Sequence, residues 1–319
     1  MKVLVTGAAG FIGSNLAEKL LRRGDTVVGI DNFNDYYDIA KKRANCDRLL
    51  KYPEFRLVEA DIRDRQLLLD LFEEEKFDCV AHLAAMAGVR NAVKFPALYI
   101  EVDYNGSQHL MDASRFNGVQ NFVFASTSSV YGNTKNIPFL ETDPCDRPLQ
   151  PYSAAKRGIE MLGFTYNHLY DLNFTATRFF TVYGPNNRPD MMAYLVLESI
   201  TKGREIPLYN GGEMWRDWTF VDDITDGIIL ALDKPVGYEI FNLGFGKPTK
   251  LKDFVDMMEK LAGAKGNFVI KPKIAADVDQ TYSDTTKARQ MLGYNPTVSI
   301  EEGVERVWNW YRDTVLNNQ

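Results

Sequence analysis

Cysteine and histidine are scarce in this chain, three of each among 319 residues. The cysteines, Cys46, Cys79 and Cys145, stand far apart, and no Cys-x-x-Cys or Cys/His cluster occurs. This argues against a disulfide framework or a zinc motif and predicts free thiols in a reducing compartment. His82, His109 and His168 show neither triad nor metal-ligand spacing and are expected to be structural, with no metal site. No apolar stretch approaches the ~20 residues that span a bilayer. The apolar run after Lys2 meets glycine too soon for the core of a signal peptide, so a cytoplasmic location is expected. A basic excess is missing too. The formal charge of −6 offers nucleic acid and membranes no broad attraction, which leaves phosphate binding to a local site. The composition is otherwise that of an ordinary globular protein long enough to bury a large core, and small-molecule chemistry is the expectation.

What is present is a repeated alternation. Short apolar runs at 3–5, 26–30, 55–58, 79–83, 122–125 and 175–179 are separated by longer amphipathic segments. That order predicts an α/β fold, a parallel sheet wound on both faces by helices. Beyond Gly184-Pro185 the regularity weakens. Helices are expected over 191–202, 222–232, 251–261 and 300–314, a short strand over 206–208, and a strand over 238–242 that returns to the first sheet. The division that follows is a cofactor unit of residues 1–180, with return segments near 220–243, and a smaller interleaved α/β unit of 181–319.

Gly7, Gly10 and Gly13 follow the first strand in the spacing Gly-x-x-Gly-x-x-Gly, and Phe11 and Ile12 open the helix between them. Glycine there allows a tight turn and close approach of backbone N–H groups to a pyrophosphate at a helix N-terminus. Asp31 ends the second strand, with Asn32 beside it. A carboxylate there accepts hydrogen bonds from an adenosine ribose and repels a 2′-phosphate, so NAD is expected rather than NADP; the alternative is that Asp31 caps a loop. Asp61 follows the third strand, and Leu83, Ala84 and Ala85 the fourth, at strand ends where ligands gather in such sheets. Tyr152 and Lys156 are four apart and share a helix face, so the ammonium is expected near the phenol, favouring its ionised form. Tyrosine titrates near pH ~10 and needs such a shift to act as a base at neutrality.

The glycine run, Asp61-Ile62, His82-Leu83-Ala84-Ala85, Tyr152-Ser153-Ala154-Ala155-Lys156 and Arg216-Asp217-Trp218-Thr219-Phe220-Val221-Asp222-Asp223 resemble, in order, the extended short-chain dehydrogenase/reductases, and among them the nucleotide-sugar epimerases. Arg178-Phe179-Phe180-Thr181-Val182-Tyr183-Gly184-Pro185 and Arg188-Pro189-Asp190-Met191 are most similar to UDP-glucuronate 4-epimerases. The resemblance implies a Rossmann-type sheet and a bound NAD held by the glycine turn, Asp31, Asn32, Asp61, Ile62, Leu83, Ala84, Ala85 and Lys156. It also implies that Tyr152 takes the proton of the sugar 4-hydroxyl while C4 loses a hydride to NAD. Lys156 would hold the ribose and lower the tyrosine's pKa, and Thr127 would bond the same oxygen. The 4-keto sugar then turns over, and hydride returns to its other face.

Related dehydratases and decarboxylases tend to carry an acid just after this threonine, whereas Ser128 and Ser129 stand here. With Thr181, where UDP-glucose epimerases usually have asparagine, they are expected to hold a uronate carboxylate through neutral hydrogen bonds; the alternative is that they cap a strand end or bind water. Arg188 and Arg216 are candidates for anionic parts of the substrate, and Asp277 and Tyr282 for the nucleotide. Two departures stand out. Asp103 falls where the family commonly has asparagine near the nicotinamide, and Ile274 where UDP-hexose epimerases often place a phosphate-binding arginine. Helical patterns over 97–116 and 152–170 resemble the helices that relatives pair into a four-helix homodimer interface. The expected activity is inversion at C4 of UDP-glucuronate to UDP-galacturonate. The alternatives are a UDP-glucose 4-epimerase, a decarboxylating UDP-glucuronate enzyme, or a non-catalytic NAD-sensing protein.

Overall fold

Valine, isoleucine and phenylalanine crowd the first half of the chain into short runs, and each run forms a strand. The computed structural model describes residues 1–272 and 278–317, without the side chains of residues 89 and 90. In chain order the first half contains β1 (Lys2–Thr6), α1 (Phe11–Arg23), β2 (Thr26–Asp31), α2 (Ile39–Leu49), β3 (Phe55–Glu59), α3 (Arg65–Glu75), β4 (Cys79–His82), α4 (Val89–Lys94) and α5 (Pro96–Tyr99). A π-helical stretch (Ile100–Gly106) then leads into α6 (Ser107–Phe116), followed by β5 (Asn121–Thr127), α7 (Pro151–Tyr170) and β6 (Phe174–Phe179). The second half adds β7 (Thr181–Tyr183), α8 (Met192–Lys202), β8 (Glu205–Tyr209), β9 (Trp215–Arg216), β10 (Trp218–Phe220), α9 (Val221–Asp233) and β11 (Tyr238–Leu243). It closes with β12 (Thr249–Lys250), α10 (Leu251–Ala262), β13 (Asn267–Lys271), α11 (Thr286–Leu292) and α12 (Ile300–Tyr311).

Seven strands form one parallel sheet in the order β3-β2-β1-β4-β5-β6-β11. This is the doubly wound, Rossmann-like α/β fold expected from the alternation. Successive side chains of a strand point to opposite faces, so each run feeds two cores. Val3, Val5, Val27 and Val123 pack on one face, beneath α1 and α9. Leu4, Val28, Val80, Phe122, Phe124 and Phe174 pack on the other, beneath α3, α6 and α7. The winding reverses between β1 and β4, opening a crevice beyond their carboxyl ends, the place where such sheets bind ligands.

The segment 97–116, expected as one helix, is α5, the π-helical stretch and α6. The Ser107 hydroxyl turns back onto the Asp103 carbonyl, and Gly106 packs so closely on Ile62 that a Cβ would lie 2.7 Å from its Cδ1. Wide turns of this kind concentrate at functional sites. The expected helix 300–314 stops at Tyr311 and gives way to a π turn, Arg312–Leu316.

Outside the large sheet, β7 pairs with β10, β8 with β13 and β9 with β12. The strip 278–284 runs past them, bridging Trp215 to Gln280 and Phe139 to Ser283. Asp217 anchors this region. Its buried carboxylate accepts the N–H groups of Phe245, Gly246 and Ser283 and the Ser283 hydroxyl. No helix among the described residues is long and apolar enough to cross a membrane.

Candidate active site

The glycine turn is built by contact. Gly7 sits at φ +70, where a Cβ would come within 2.9 Å of the Ala84 nitrogen; a Cβ on Gly13 would lie 2.1 Å from the Gly7 oxygen. No side chain can be added there without pushing α1 away from the ends of β1 and β4. Gly10 caps α1 without a side-chain hydrogen bond, and no acid lies in the first turn, so the helix presents N–H groups and its positive end to the crevice. Asp31 braces the turn, its two oxygens accepting the Ala9 N–H at 3.1 Å and the Phe33 N–H at 2.9 Å. Burial raises its pKa against the pull of those N–H groups and of Lys42. Asp61, bound by Arg63 and by Asn32, is held down to about 2.

Every residue singled out for the cofactor, from Gly7 through Asp31 and Asp61 to Lys156, lines one cavity of about 220 Å³. Asn34, Tyr36, Tyr37 and Lys42 line it as well. The polar, aromatic run directly after Asp31 was the available signal for these four. Lys42 donates to the Asn34 carbonyl and side chain, which folds the 32–42 loop over the crevice.

α7 starts at Pro151, capped by Gln150, which accepts the Ser153 N–H at 3.2 Å. Tyr152 therefore lies in the first turn, with Lys156 one turn on and Glu160 two turns on, along the face toward the sheet. The Lys156 ammonium stands 4.5 Å from the centre of the Phe124 ring and 6.0 Å from that of Tyr152. Burial lowers its pKa, and the carboxylates of Asp103 and Glu160 oppose this. The phenol of Tyr152 is pushed up to about 12 by burial and by Asp103, while Thr127 and Arg188 pull it down. Lys156 is not among the largest influences on it. The ammonium lies closer to the Phe124 ring, and the Asp103 and Glu160 carboxylates act on it.

A second, smaller cavity adjoins the first and shares Phe11, Ile12, Ser126, Tyr152, Phe179 and Arg188 with it; Thr127, Phe180, Val182 and Met191 complete its wall. The Thr127 hydroxyl accepts the Ser129 N–H at 3.1 Å and donates to the Ser129 hydroxyl at 3.2 Å. Arg188 grips Asp190 with two hydrogen bonds of 3.0 and 2.8 Å, and the Tyr36 hydroxyl donates to the same carboxylate. Ser128, Ser129, Thr181, Arg216 and Tyr282 lie outside the lining of both cavities. Arg216 bonds the Trp215 and Asp279 carbonyls, and Tyr282 lies on the adjoining 278–284 strip. Asp277 and Ile274 fall outside the described residues.

Sequence reasoning passed over the polar group beneath the site. Glu160 and Arg178, both 0% exposed, form a two-point ion pair at 2.9 and 2.8 Å. The Ser126 hydroxyl, on the cavity wall, donates to Glu160 at 2.6 Å. Glu160's spacing of eight from Tyr152 was the signal that placed it on the same face.

An unobstructed helix terminus beside a glycine turn, an acid at the end of β2, and a Tyr-x-x-x-Lys pair opening onto the same crevice define a dinucleotide-dependent enzyme of the extended short-chain dehydrogenase/reductase class. The chain belongs to the NAD dependent epimerase/dehydratase family, which it matches over residues 3–244. It is an NAD-dependent epimerase, an isomerase. A protein of Thermodesulfobacterium geofontis named UDP-glucuronate 4-epimerase is 41% identical over 98% of this chain and 96% of its own length. The structure of UDP-glucuronic acid 4-epimerase from Bacillus cereus in complex with UDP-glucuronic acid and NAD superposes with a TM-score of 0.91 at 32% identity, covering 98% of this chain and 99% of that one. UDP-glucose 4-epimerase from Thermotoga maritima, with UDP-glucose, gives the same TM-score and identity over 99% and 100%. The cradle fits NAD: its glycines leave the α1 N-terminus open to a diphosphate, and Asp31, braced on the turn by both oxygens, lines the same cavity.

Proposed function

We propose that the protein inverts C4 of UDP-glucuronate, yielding UDP-galacturonate, through a 4-keto sugar that keeps its carboxylate. The observation that carries this reading is the meeting of Tyr152, Thr127 and Arg188 in the wall of the second cavity, with hydroxyls and no acid following Thr127. The glycine turn, Asp31 and Lys156 would hold NAD, which would supply the hydride acceptor and donor. As a phenolate, favoured by Thr127, Arg188 and the positive nicotinamide that bound NAD would bring, Tyr152 would take the 4-hydroxyl proton and later give it back, while Thr127 orients that oxygen. The second cavity provides room for the sugar to turn over. Because a β-keto acid loses carbon dioxide readily, the carboxylate must be held without an adjacent proton donor of carboxylic type. Ser128, Ser129 and Thr181, outside the cavity linings but close in the chain to Thr127, Phe180 and Val182 of the second cavity's wall, are assigned that task, and Arg188 balances the charge once it exchanges Asp190 for the substrate. Arg216, Tyr282 and Asp277 are assigned to the nucleotide, in the smaller unit of 181–319.

The relatives alone leave the sugar open, because epimerases of UDP-glucuronate and of UDP-glucose superpose equally well. The residues after Thr127 and the threonine at 181 favour the uronate. Purified enzyme is to be incubated with UDP-glucuronate and, separately, with UDP-glucose, and products read by NMR and mass. A C4-inverted uronate of unchanged mass is expected; loss of carbon dioxide, or action on the neutral hexose alone, overturns the assignment. Tyr152→Phe is expected to lower turnover at least ~100-fold with NAD still bound. We further assign the exposed face of α7, with its neighbours α5 and the π-helical stretch, to a homodimer contact.

A further inference from the structure

Asp103 stands fully buried behind the cavity wall, in the widened turn between α5 and α6. Its Oδ1 accepts the Met86 N–H at 2.6 Å, which ties down the segment following Ala84 and Ala85. Its Oδ2 is buried with no hydrogen-bond partner among the described residues. The titratable groups around it come from three directions. Tyr99 faces it from α5, and Tyr152 and Lys156 from α7. His82, at the end of β4, reaches it through Ser107, whose hydroxyl meets His82 Nε2 and the Asp103 carbonyl. Glu160 lies one turn past Lys156, and Arg188 acts on Tyr99 and Tyr152 from the opposite side of the cavity. Lys156 is the cation that acts on Asp103.

An asparagine at this position would accept the Met86 N–H equally well and carry no charge. What aspartate adds is therefore a charge, buried where the π-helical stretch packs against α7, the helix that carries Tyr152 and Lys156. A carboxylate with one oxygen unpartnered needs the Lys156 ammonium, since an uncompensated buried charge is strongly disfavoured.

We propose that Asp103 is a positioning residue for the Tyr152–Lys156 pair, its carboxylate fixing the charge of both and so setting the pH interval in which they work. The kinetic half of this statement rests on the reaction proposed above; the electrostatic half does not. The direction follows from charge. A carboxylate disfavours the phenolate of Tyr152 and favours the ammonium of Lys156, so both titrations move to higher pH. Burial raises Asp103's own pKa, which brings its ionisation closer to the working range.

The test is a near-ultraviolet absorbance titration of tyrosinate in NAD-loaded enzyme. Wild type and Asp103→Asn are each measured against a partner carrying Tyr152→Phe, so that the difference isolates Tyr152 among the 16 tyrosines. The midpoint is expected to fall by about one pH unit or more in Asp103→Asn, and both limbs of the rate-against-pH profile to move toward acid. No substrate is needed for the absorbance arm, so it stands even if the sugar assignment fails. An unchanged midpoint overturns the proposal, as does a rate profile that drops in height with both limbs in place. An asparagine variant that does not fold or hold NAD would make the residue architectural and overturn it equally.

Discussion

Glu160 and Arg178 show how a single buried pair can carry the site without touching substrate. The two are wholly enclosed, so their attraction offsets a large desolvation penalty only while both are present. Arg178 also lies under the Tyr131 ring, and Arg157 makes a further contact to Glu160 at 3.1 Å. Removing the carboxylate in Glu160→Ala strands a guanidinium in the core and is expected to destabilise the fold by about 3–5 kcal/mol, read as a lowered midpoint in chemical denaturation. Replacing both partners with apolar residues of similar volume is expected to recover much of that loss. A double change that costs the sum of the two single changes would show that the pair is not coupled. Residues of this kind were hard to see in the sequence because their meaning lies in pairing across elements. Tyr152 and Lys156 were ambiguous from spacing alone and became legible only beside the glycine run and the family resemblance, and spacing said nothing of the Phe124 ring and the Asp103 carboxylate that act on the ammonium.

At the scale of elements, legibility followed locality. The six apolar runs of the first half, and the later one at 238–242, became strands of one sheet because a parallel strand buried on both faces needs an unbroken apolar run. The segment 97–116 did not form a single helix, because its seven-residue π stretch is fitted at Gly106 to Ile62, which meets it from elsewhere in the fold, and is closed by the Ser107 hydroxyl on the Asp103 carbonyl. The two-residue strands β9 and β12 left no periodic trace, since their pairing with each other is the only thing that defines them. The glycine turn is the opposite case, fixed by three glycines and readable at once. Gly13→Ala is expected to lower NAD affinity at least ~10-fold with the sheet intact, because the added methyl meets the Gly7 carbonyl 2.1 Å away and forces α1 from the turn. Calorimetric titration of cofactor-stripped protein with NAD measures this; unchanged affinity would mean that the turn does not hold the diphosphate.

For the whole molecule, α7 has a face on the site and a face in the open. Tyr152, Lys156 and Glu160 look inward, while Met161, 57% exposed, stands on the far side and Phe164, 54% exposed, at the edge, against Tyr238. Phe95 and Ile100, on the neighbouring segments, are exposed too. Large apolar side chains gathered on adjoining helices mark an interaction surface more often than an accident of folding. A second copy of the chain meeting this surface by two-fold symmetry would place α7 of each protomer against the other and brace the helix that carries the reactive pair. Sedimentation equilibrium is expected to return twice the chain mass for the wild type and the single chain mass for Met161→Glu combined with Phe164→Glu, since burying two carboxylates opposite two more is prohibitive. Neither residue touches the cavities. The monomeric variant is nevertheless expected to be less stable and slower, because an unbraced α7 holds Tyr152 and Lys156 less firmly against β5. A wild type that sediments as one chain would remove the second face from the account and leave α7 supported by its own sheet alone.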